Sequence, residues 1–258
     1  MDFSNRVVLV TGASRGLGEA TAKLLAKKGA AVTIISNEPS KLGKVESAIL
    51  ESGGRCLALT CDVKDGEAVQ SVVDQTVEKF GKITDLVNNA GVIQPLALIE
   101  DTDSEAWKQC VSTHIFGSFH CVKAVIPHFK RQADSSIINI SSGASEVPLD
   151  GWSGYNCGKA ALKIFSSVLH QEVNEYGIRV YSLRPGGVNS RMQDEIRAAK
   201  INDIPHANIP KENLMPPIHA AKGITRLIRD TEKQYNGQEL DVRHPPLIGD
   251  FENEDEGL

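Results

Sequence analysis

Residues 7–18 read VVLVTGASRGLG, a short apolar run that enters a glycine-rich turn and then a stretch with helical patterning. A valine-rich run of this kind is typical of a buried strand. Gly12, Gly16 and Gly18 allow a tight turn and close approach of the backbone to a ligand. The amino end of the following helix offers unpaired N–H groups and a partial positive charge, which suit a pyrophosphate. This position favours a dinucleotide site over an ordinary turn, although a glycine pattern alone is weak evidence.

The same alternation of short apolar runs and longer amphipathic stretches continues along the chain. It predicts strands at 7–10, 31–35, 57–59, 86–87, 137–140 and 179–183. It predicts helices between them at 19–28, 41–52, 66–80, 104–131 and 155–176. Runs that are apolar on both faces indicate buried parallel strands, and the helices are the crossovers that connect them. We therefore expect a single α/β domain over residues 1–249, a Rossmann-like doubly wound parallel sheet with helices on both faces.

Two regions depart from this pattern. Residues 191–217 contain Pro205, Pro210, Pro216 and Pro217, which interrupt any long helix. We expect this segment to be irregular and to form a flexible substrate flap beside the site. Residues 250–258 are acidic, and we expect them to form a disordered tail.

Composition and charge exclude several classes of function. The chain has 258 residues, is 41% hydrophobic and has a formal net charge of -5, which argues against a nucleic-acid partner. It shows neither a secretory signal nor the roughly eighteen consecutive apolar residues of a membrane helix. Its five cysteines include no CxxC pair and suggest neither a disulfide framework nor a zinc site. We expect a cytoplasmic protein with no metal site and no membrane association.

The glycine turn has the spacing TGxxxGxG, which is the form found in the short-chain dehydrogenase/reductase superfamily. The chain resembles this family from residue 6 to about 242. Residues 88–91, NNAG, resemble the NNAG element of the family. Cys61-Asp62-Val63 resembles the segment whose Asp contacts adenine. Residues 185–190, PGGVNS, resemble the PGxVxT element at the nicotinamide. Each motif alone could be a turn or a strand end, but their order argues against coincidence. The resemblance implies that a nicotinamide cofactor is bound by Gly12, Ser14, Arg15, Gly16, Leu17, Gly18, Asn37, Asp62, Val63, Asn89, Ala90, Gly91, Tyr155, Lys159, Pro185, Gly186, Val188 and Ser190.

The end of the second predicted strand bears on which nicotinamide cofactor is bound. NAD-preferring sites usually place a carboxylate there, which accepts bonds from both ribose hydroxyls and repels a 2′-phosphate. Here the strand ends Ile35-Ser36-Asn37, with no acid at that position. Arg15 stands where NADP-preferring family members carry a basic residue, and a guanidinium suits a phosphate by its planar fork. NADP(H) is therefore favoured over NAD(H). Asn37 stands where many NADP-using family members have a second Arg, and Glu38 follows it, so the expected preference is modest. The alternative for Arg15 is an exposed turn residue.

Three residues form the predicted reacting centre. Tyr155 and Lys159 are four apart at the start of a predicted helix, so their side chains share one face. Ser142 lies thirteen residues before Tyr155, the separation seen between the family's catalytic Ser and Tyr. Hydride arriving at a carbonyl carbon leaves an alkoxide, which needs a proton and a hydrogen bond. The resemblance implies that Tyr155 donates this proton, that Ser142 holds the oxygen, and that Lys159 bonds the nicotinamide ribose. Lys159, together with the positive nicotinamide ring of the oxidised cofactor, is also expected to lower the pKa of Tyr155 from its usual value of about 10.

His114 stands at the position of the fourth member of the family's catalytic set, an Asn three residues before a Gly. In the family this Asn helps to place a water that leads from the Lys to solvent, partly through its backbone carbonyl, which His114 retains. An imidazole can donate and accept protons, so a relay is one interpretation. A packed helix histidine without a catalytic role is the other, and the sequence leaves both open.

These residues predict an NADPH-dependent ketone reductase, or an alcohol dehydrogenase in the reverse direction. Its substrate is expected to be a small to medium hydrophobic or cyclic ketone, with an apolar lining from Val147, Leu149, Trp152, Met192 and Ile196. The predicted helices 104–131 and 155–176 resemble those through which family members form homodimers or homotetramers. Two alternatives stay open: a cofactor-binding sensor or scaffold without turnover, and an enzyme of this fold that performs dehydration or epimerisation.

Overall fold

A computed structural model describes residues 2–132, 134–199, 201, 209–245 and 247. Strands and α-helices alternate within these residues. The strands are β1 (Val7–Thr11), β2 (Ala31–Ser36), β3 (Arg55–Thr60), β4 (Asp85–Asn88), β5 (Ser136–Ile140), β6 (Arg179–Arg184) and β7 (Glu239–Asp241). The α-helices are α1 (Gly16–Lys27), α2 (Pro39–Glu51), α3 (Gly66–Phe80), α4 (Ser104–Phe129), α5 (Ser153–Val173), α6 (Arg191–Ala199) and α7 (Pro217–Ile228).

The strands form one parallel sheet in the order β3-β2-β1-β4-β5-β6-β7. The strand order reverses between β1 and β4, which are direct neighbours and pair Val10 with Val87. In a doubly wound sheet such a reversal opens a crevice above the carboxyl ends of the two strands, and ligands bind there. The turn after β1 and the NNAG segment after β4 both begin at this crevice.

The core lies on both faces of the sheet, as expected for strands that are apolar on both sides. Val8 and Val10 of β1 pack on one face with α1, α2 and α7, while Leu9 packs on the other with α3, α4 and α5. All five residues of β1 are buried. This burial fixes the strands, and the strand ends in turn fix where the following loops begin.

The expected doubly wound parallel sheet is confirmed, with small shifts at helix ends. The helix expected at 104–131 ends at Phe129, and the one expected at 155–176 spans Ser153–Val173 before a 3-10 turn at Asn174–Tyr176. The expectation of an irregular segment from residue 191 is wrong for Arg191–Ala199, which forms α6. Ion pairs of Arg191 with Glu195 and of Asp194 with Arg197 support that helix.

Other parts of the predicted flap and tail lie outside the described residues. These are residues 200 and 202–208 of the flap, and the whole of the tail at 250–258. Pro217 stands at the first position of α7, where a proline costs no hydrogen bond. Among the helices of the described residues, none combines the length and the apolar character that crossing a membrane requires.

Candidate active site

A cavity of about 800 Å³ opens at the carboxyl ends of the strands. Its wall is formed by the glycine turn after β1, the end of β2 and the segments that follow β3, β4, β5 and β6. The predicted site residues in this wall are Gly12, Ser14, Arg15, Gly16, Leu17, Asn37, Asp62, Val63, Asn89, Ala90, Gly91, Ser142, Tyr155, Lys159, Pro185, Gly186, Val188 and Ser190. The fold thus brings together residues from six separate loops. Gly18 and His114 are the predicted site residues that stand behind the wall.

The glycine turn has the shape that a pyrophosphate requires. Gly12 and Gly16 have positive φ angles of 62° and 58°. A Cβ atom at Gly12 would lie 2.8 Å from the Cα atom of Ala90, and one at Gly18 would lie 2.5 Å from the carbonyl oxygen of Gly12. Arg15, the N-cap of α1, makes no side-chain capping bond, so its side chain does not occupy the N–H groups of the first turn. The residues present therefore fit the phosphates of a dinucleotide.

The segment after β4 is fastened to the glycine turn by hydrogen bonds. The hydroxyl of Thr11 accepts bonds from the backbone N–H groups of Asn89 and Ala90, both at 2.9 Å. The side-chain amide of Asn89 donates to the carbonyl oxygens of Thr11 at 2.9 Å and Gly12 at 3.2 Å. Asn89 thus fixes the shape of the turn that would hold the phosphates.

An acidic side chain, Glu38, occupies the end of the cavity beside β2. Its carboxylate accepts hydrogen bonds from the Ser14 hydroxyl at 3.0 Å, from Arg15 Nη1 at 3.0 Å and from Lys41 Nζ at 2.9 Å. The bond from Lys41, with those from Ser14 and Arg15, lowers the pKa of Glu38 against the effect of burial. The Arg15 guanidinium is therefore already paired with an acid. Sequence reasoning missed Lys41, although its i,i+3 spacing from Glu38 at the start of α2 signals such a pair.

Asp62, expected to meet the adenine, follows β3 at the same end of the cavity. Its carboxylate accepts bonds from the backbone N–H of Lys64 at 3.0 Å and from Lys64 Nζ at 2.7 Å. Burial opposes ionisation of Asp62, but the bonds from Lys64 outweigh it and lower the pKa of the carboxyl group. Asp62 is therefore ionised and held in place at neutral pH.

The predicted reacting residues meet at the other end of the cavity. Ser142 is the N-cap of a 3-10 turn at Gly143–Ser145, and its hydroxyl accepts the N–H of Ala144 at 3.2 Å. The side chains of Ser142 and Tyr155 line the same end of the cavity, and Ser142 acts to lower the pKa of Tyr155. Lys159 lies one turn further along α5, with its Nζ 5.7 Å from the centre of the Tyr155 ring. Ser141 points to the other face of the strand, as strand alternation predicts, and donates to Glu239 at 2.7 Å.

Burial controls the protonation of Tyr155 and Lys159. It raises the pKa of Tyr155 to about 12, against a smaller lowering by Ser142. It lowers the pKa of Lys159 to about 8. The Lys159 ammonium donates to the carbonyl oxygen of Ile140 at 2.6 Å rather than to the phenol. The expected lowering of the Tyr155 pKa by Lys159 is thus not produced by the side chains alone, because desolvation is the larger effect.

His114 is fully buried behind the cavity wall. Its Nε2 lies 2.8 Å from the carbonyl oxygen of Val92, which can only accept, so Nε2 carries the proton. Its Nδ1 has no hydrogen-bond partner among the described residues. Burial, with a smaller effect of the Lys159 charge, lowers the pKa of His114 to about 3. The ring meets Tyr155 edge-on, with 5.1 Å between ring centres.

Two glycines make room for this histidine. A Cβ atom at Gly91 would lie 2.7 Å from Cε1 of His114, and one at Gly158 would lie 2.9 Å from its Cδ2. The backbone carbonyl of His114, expected to serve a water path, accepts a bond from the Ser118 hydroxyl at 2.8 Å. The imidazole is thus a packed, neutral group that links α4 to the segment after β4.

An apolar pocket adjoins the reacting residues. Trp152 stands edge-on to Tyr155, with 5.8 Å between ring centres. The five residues expected to line a substrate pocket, Val147, Leu149, Trp152, Met192 and Ile196, all belong to the cavity wall. Uncharged polar side chains of this wall that sequence reasoning missed include Gln94, Gln109, Thr113 and Gln193. They come from unpatterned loop positions or from the polar faces of helices, so no sequence signal distinguishes them.

Comparison with known proteins identifies the family. The family model described as short chain dehydrogenase matches residues 6–201. The chain belongs to this family. It is an oxidoreductase of a family whose members bind a nicotinamide cofactor and act on small molecules. The match begins one residue before β1 and ends just after α6.

Individual relatives agree with the family match and differ in cofactor. The chain is 33% identical over 240 residues to the 2,5-dichloro-2,5-cyclohexadiene-1,4-diol dehydrogenase of Sphingobium indicum, covering 93% of this chain and 95% of the relative. It resembles the structure of an NAD⁺-bound xylitol dehydrogenase, with 26% identity, a TM-score of 0.86 and coverage of 94% and 99%. It also resembles a variant of an actinorhodin polyketide ketoreductase with NADPH, with 26% identity, a TM-score of 0.85 and coverage of 94% and 97%.

Proposed function

We propose that the protein is an NADP(H)-dependent ketone reductase that also runs as an alcohol dehydrogenase. The observation that carries this proposal is that Ser142, Tyr155 and the buried Lys159 meet in the wall at one end of the cavity, with Lys159 Nζ 5.7 Å from the centre of the Tyr155 ring. Two hydroxyls beside a cation form a site for an oxygen that gains charge.

Ser142, Tyr155 and Lys159 would each have a separate role in the reduction. When bound, the reduced nicotinamide supplies a hydride to the carbonyl carbon. The hydroxyls of Ser142 and Tyr155 bond the carbonyl oxygen, and the Tyr155 O–H transfers its proton to that oxygen as the C=O π electrons move onto it. Lys159 offsets the charge of the phenolate that remains. Oxidation of an alcohol reverses each step, with the Tyr155 phenolate accepting the proton.

The cofactor preference for NADP(H) rests on the cations at the β2 end of the cavity. Arg15 and Lys41 both pair with the Glu38 carboxylate, and we expect the adenosine ribose to lie beside them. A 2′-phosphate is a stronger partner for a guanidinium than a hydroxyl is. Asn37, exposed at the end of β2, supplies a neutral polar group rather than a second acid. Glu38 opposes the phosphate, so we expect a moderate preference.

The apolar wall supports a hydrophobic, cyclic substrate. The face of a ring would lie against Trp152 while its carbonyl reached the two hydroxyls. The relative from Sphingobium indicum is named for a cyclic diol, which agrees with a ring-shaped substrate. Val147, half-exposed at the cavity, leaves the pocket open on one side. We expect cyclic ketones of small to medium size to react faster than short linear ones.

We assign His114 a positioning role in place of the family's Asn. With a pKa of about 3 the imidazole is neutral above that pH, and its single N–H is directed at the carbonyl oxygen of Val92 rather than at the reacting residues. Its Nε2–H instead ties α4 to the segment at Val92, and its ring supports one side of Tyr155. This favours the packed histidine over the proton relay.

An exposed apolar face supports assembly into a homodimer or homotetramer. Phe116 and Phe119 on α4 and Ile164 and Val168 on α5 are large apolar side chains, all more than two-fifths exposed. Because α4 and α5 pack against each other, these residues extend one surface. Contiguous exposed apolar surface of this kind marks protein–protein contacts. We further propose a cytoplasmic location, since the buried cysteines are unpaired thiols.

Titration with reduced nicotinamides tests the first requirement of this function. Fluorescence of NADPH and NADH is followed as protein is added, and the same protein is then assayed with a panel of cyclic and linear ketones. We expect tighter binding of NADPH, and cofactor oxidation that depends on the ketone. Tighter binding of NADH would contradict the cofactor preference only. Binding without turnover of any ketone or alcohol would favour the sensor alternative, and binding of neither cofactor at millimolar concentration would overturn the enzyme proposal.

A further inference from the structure

Four charged side chains form a cluster beside the ends of β5 and β6 and the start of β7, next to the reacting residues. Glu239 pairs with Arg184 and with Lys163, whose Nζ is 3.1 Å from Oε2 of the acid. Glu146 also pairs with both Arg184 and Lys163. We refer to Glu146, Lys163, Arg184 and Glu239 as the charged cluster. Each acid of the cluster pairs with both bases, so each of the four residues takes part in two ion pairs.

Two members of the cluster stand close in sequence to residues of the proposed reaction. Glu146 follows the 3-10 turn that Ser142 begins, and is the C-cap of that turn. Lys163 lies four residues after Lys159 and one helical turn further along α5. The pair between Glu146 and Lys163 therefore joins the turn of Ser142 directly to the helix of Lys159.

The other two members connect this pair to the sheet. Arg184 is the last residue of β6 and directly precedes the PGGVNS segment that lines the cavity. Glu239, in β7, accepts a hydrogen bond from the Ser141 hydroxyl at 2.7 Å, and Ser141 is the neighbour of Ser142. The cluster thus spans the three segments that meet at the reacting end of the cavity.

The acids of the cluster stay ionised at neutral pH. Hydrogen bonds from Arg184 and Lys163 lower the pKa of Glu146 to about 2. Burial alone would raise the pKa of Glu239, but bonds from Ser141, Arg184 and Lys163 together lower it. Glu239 is only 12% exposed, so removal of its charge leaves Arg184 and Lys163 paired, within the cluster, with the more exposed Glu146 alone.

We propose that the charged cluster positions Ser142, Tyr155 and Lys159 relative to one another and to the PGGVNS segment. The inference rests on the proposed function. Apolar packing holds these segments together but is not directional, whereas charge-assisted hydrogen bonds fix direction as well as distance. Displacement of a reacting group by about 1 Å can cost on the order of a hundredfold in rate. Arg184 lines the cavity, but its guanidinium is engaged by two carboxylates, which favours this positioning role over substrate binding.

Substitutions in the cluster separate positioning from simple stabilisation. Glu239→Gln keeps the shape of the side chain and removes its charge, while Lys163→Met and Lys163→Arg change a more exposed member. For each variant, kcat and KM with a reactive ketone, the Kd for NADPH and the melting temperature are measured. We expect Glu239→Gln and Lys163→Met to lower kcat by about tenfold or more, with KM and Kd within about threefold, since a small misplacement acts on the reaction step. Lys163→Arg should recover most of kcat.

Asp230→Asn is the matched control. Asp230 accepts the Tyr181 hydroxyl at 2.8 Å in the connection that leads into the amino end of β7, so its loss should lower stability without touching the cavity. The inference would be overturned if variants of the cluster lowered the melting temperature as Asp230→Asn does but kept kcat within twofold of the wild type. If Glu239→Gln does not fold, unchanged kcat in Lys163→Met would overturn it equally. A wild-type protein that reduces no ketone would overturn the proposed function itself, and the inference with it.

Discussion

Replacement of Glu38 by Gln should strengthen the binding of NADPH and leave that of NADH nearly unchanged. Glu38 holds the groups that would otherwise contact a 2′-phosphate: the Ser14 hydroxyl at 3.0 Å, Arg15 Nη1 at 3.0 Å and Lys41 Nζ at 2.9 Å. A phosphate that takes the place of the carboxylate must break these pairs and remain near a negative charge. Glutamine keeps the side-chain shape and removes both costs.

The size of the effect follows from the exposure of these groups. Arg15 and Lys41 are 42% and 46% exposed, so each ion pair contributes only about 0.2–1 kcal/mol. A carboxylate about 5 Å from a phosphate adds a repulsion of roughly 1 kcal/mol in water and more at a partly buried surface. The sum, about 1.5–3 kcal/mol, corresponds to about a tenfold to hundredfold lower Kd for NADPH. Salt should reduce the gain, because these charges are near solvent.

Fluorescence titration of NADPH and NADH at low and high salt measures this effect directly. Glu46→Gln is the matched control, because Glu46 lies on the same helix, α2, and bonds the backbone N–H of Ala58 away from the cavity. NADPH affinity unchanged within twofold in Glu38→Gln would refute the reasoning. So would an equal gain for NADH, since only the phosphate distinguishes the two cofactors.

Three further predictions concern Arg15 and the buried histidine. Arg15→Ala should weaken NADPH binding by about tenfold and NADH binding by less than threefold, and equal losses would show that Arg15 does not read the phosphate. Folding lowers the pKa of His114 from 6.5 to about 3, so the unfolded chain binds the extra proton in that window and stability falls as the pH drops through it. Chemical denaturation should show that the wild type loses roughly 2 kcal/mol of unfolding free energy between about pH 6.5 and 4.5, and that His114→Asn does not show this loss. Parallel curves of unfolding free energy against pH for the two proteins would contradict the prediction. Gly158→Ala should destabilise the fold by about 1–3 kcal/mol, because its Cβ would lie 2.9 Å from Cδ2 of His114. In the double variant, His114→Asn should relieve part of this loss of stability. Losses that simply add in the double variant would argue against the contact.

The fold and most of the cavity wall could be predicted because their signals are local. Each strand is a short apolar run, and the glycine turn, the NNAG segment and the Tyr155–Lys159 spacing are contiguous or one helical turn apart. Parallel strands then bring the following loops to one edge of the sheet without further information. Helix α6 was harder to predict, because prolines that follow a segment do not prevent a short helix from forming before them.

Interactions that depend on distant residues could not be predicted. The charged cluster joins positions 146, 163, 184 and 239, and no pattern in the sequence links a turn, a helix and two strands. The balance of effects on the Tyr155 pKa in the protein alone could not be predicted for the same reason. Proximity to Lys159 argued for a lowered pKa, but burial, which only the folded chain shows, raises it to about 12. The same applies to His114, whose neutral state follows from complete burial.

The replacement of Tyr155 by Phe tests the central claim most directly, because it removes one oxygen atom and keeps the ring that packs against His114 and Trp152. The measurement is kcat with a ketone that the wild type reduces, together with the Kd for NADPH. The account predicts a loss of kcat of at least about a hundredfold, since general acid catalysis contributes about 10²–10⁴-fold, with the Kd within about threefold. Turnover within a few-fold of the wild type would contradict the assignment of Tyr155 as the proton donor.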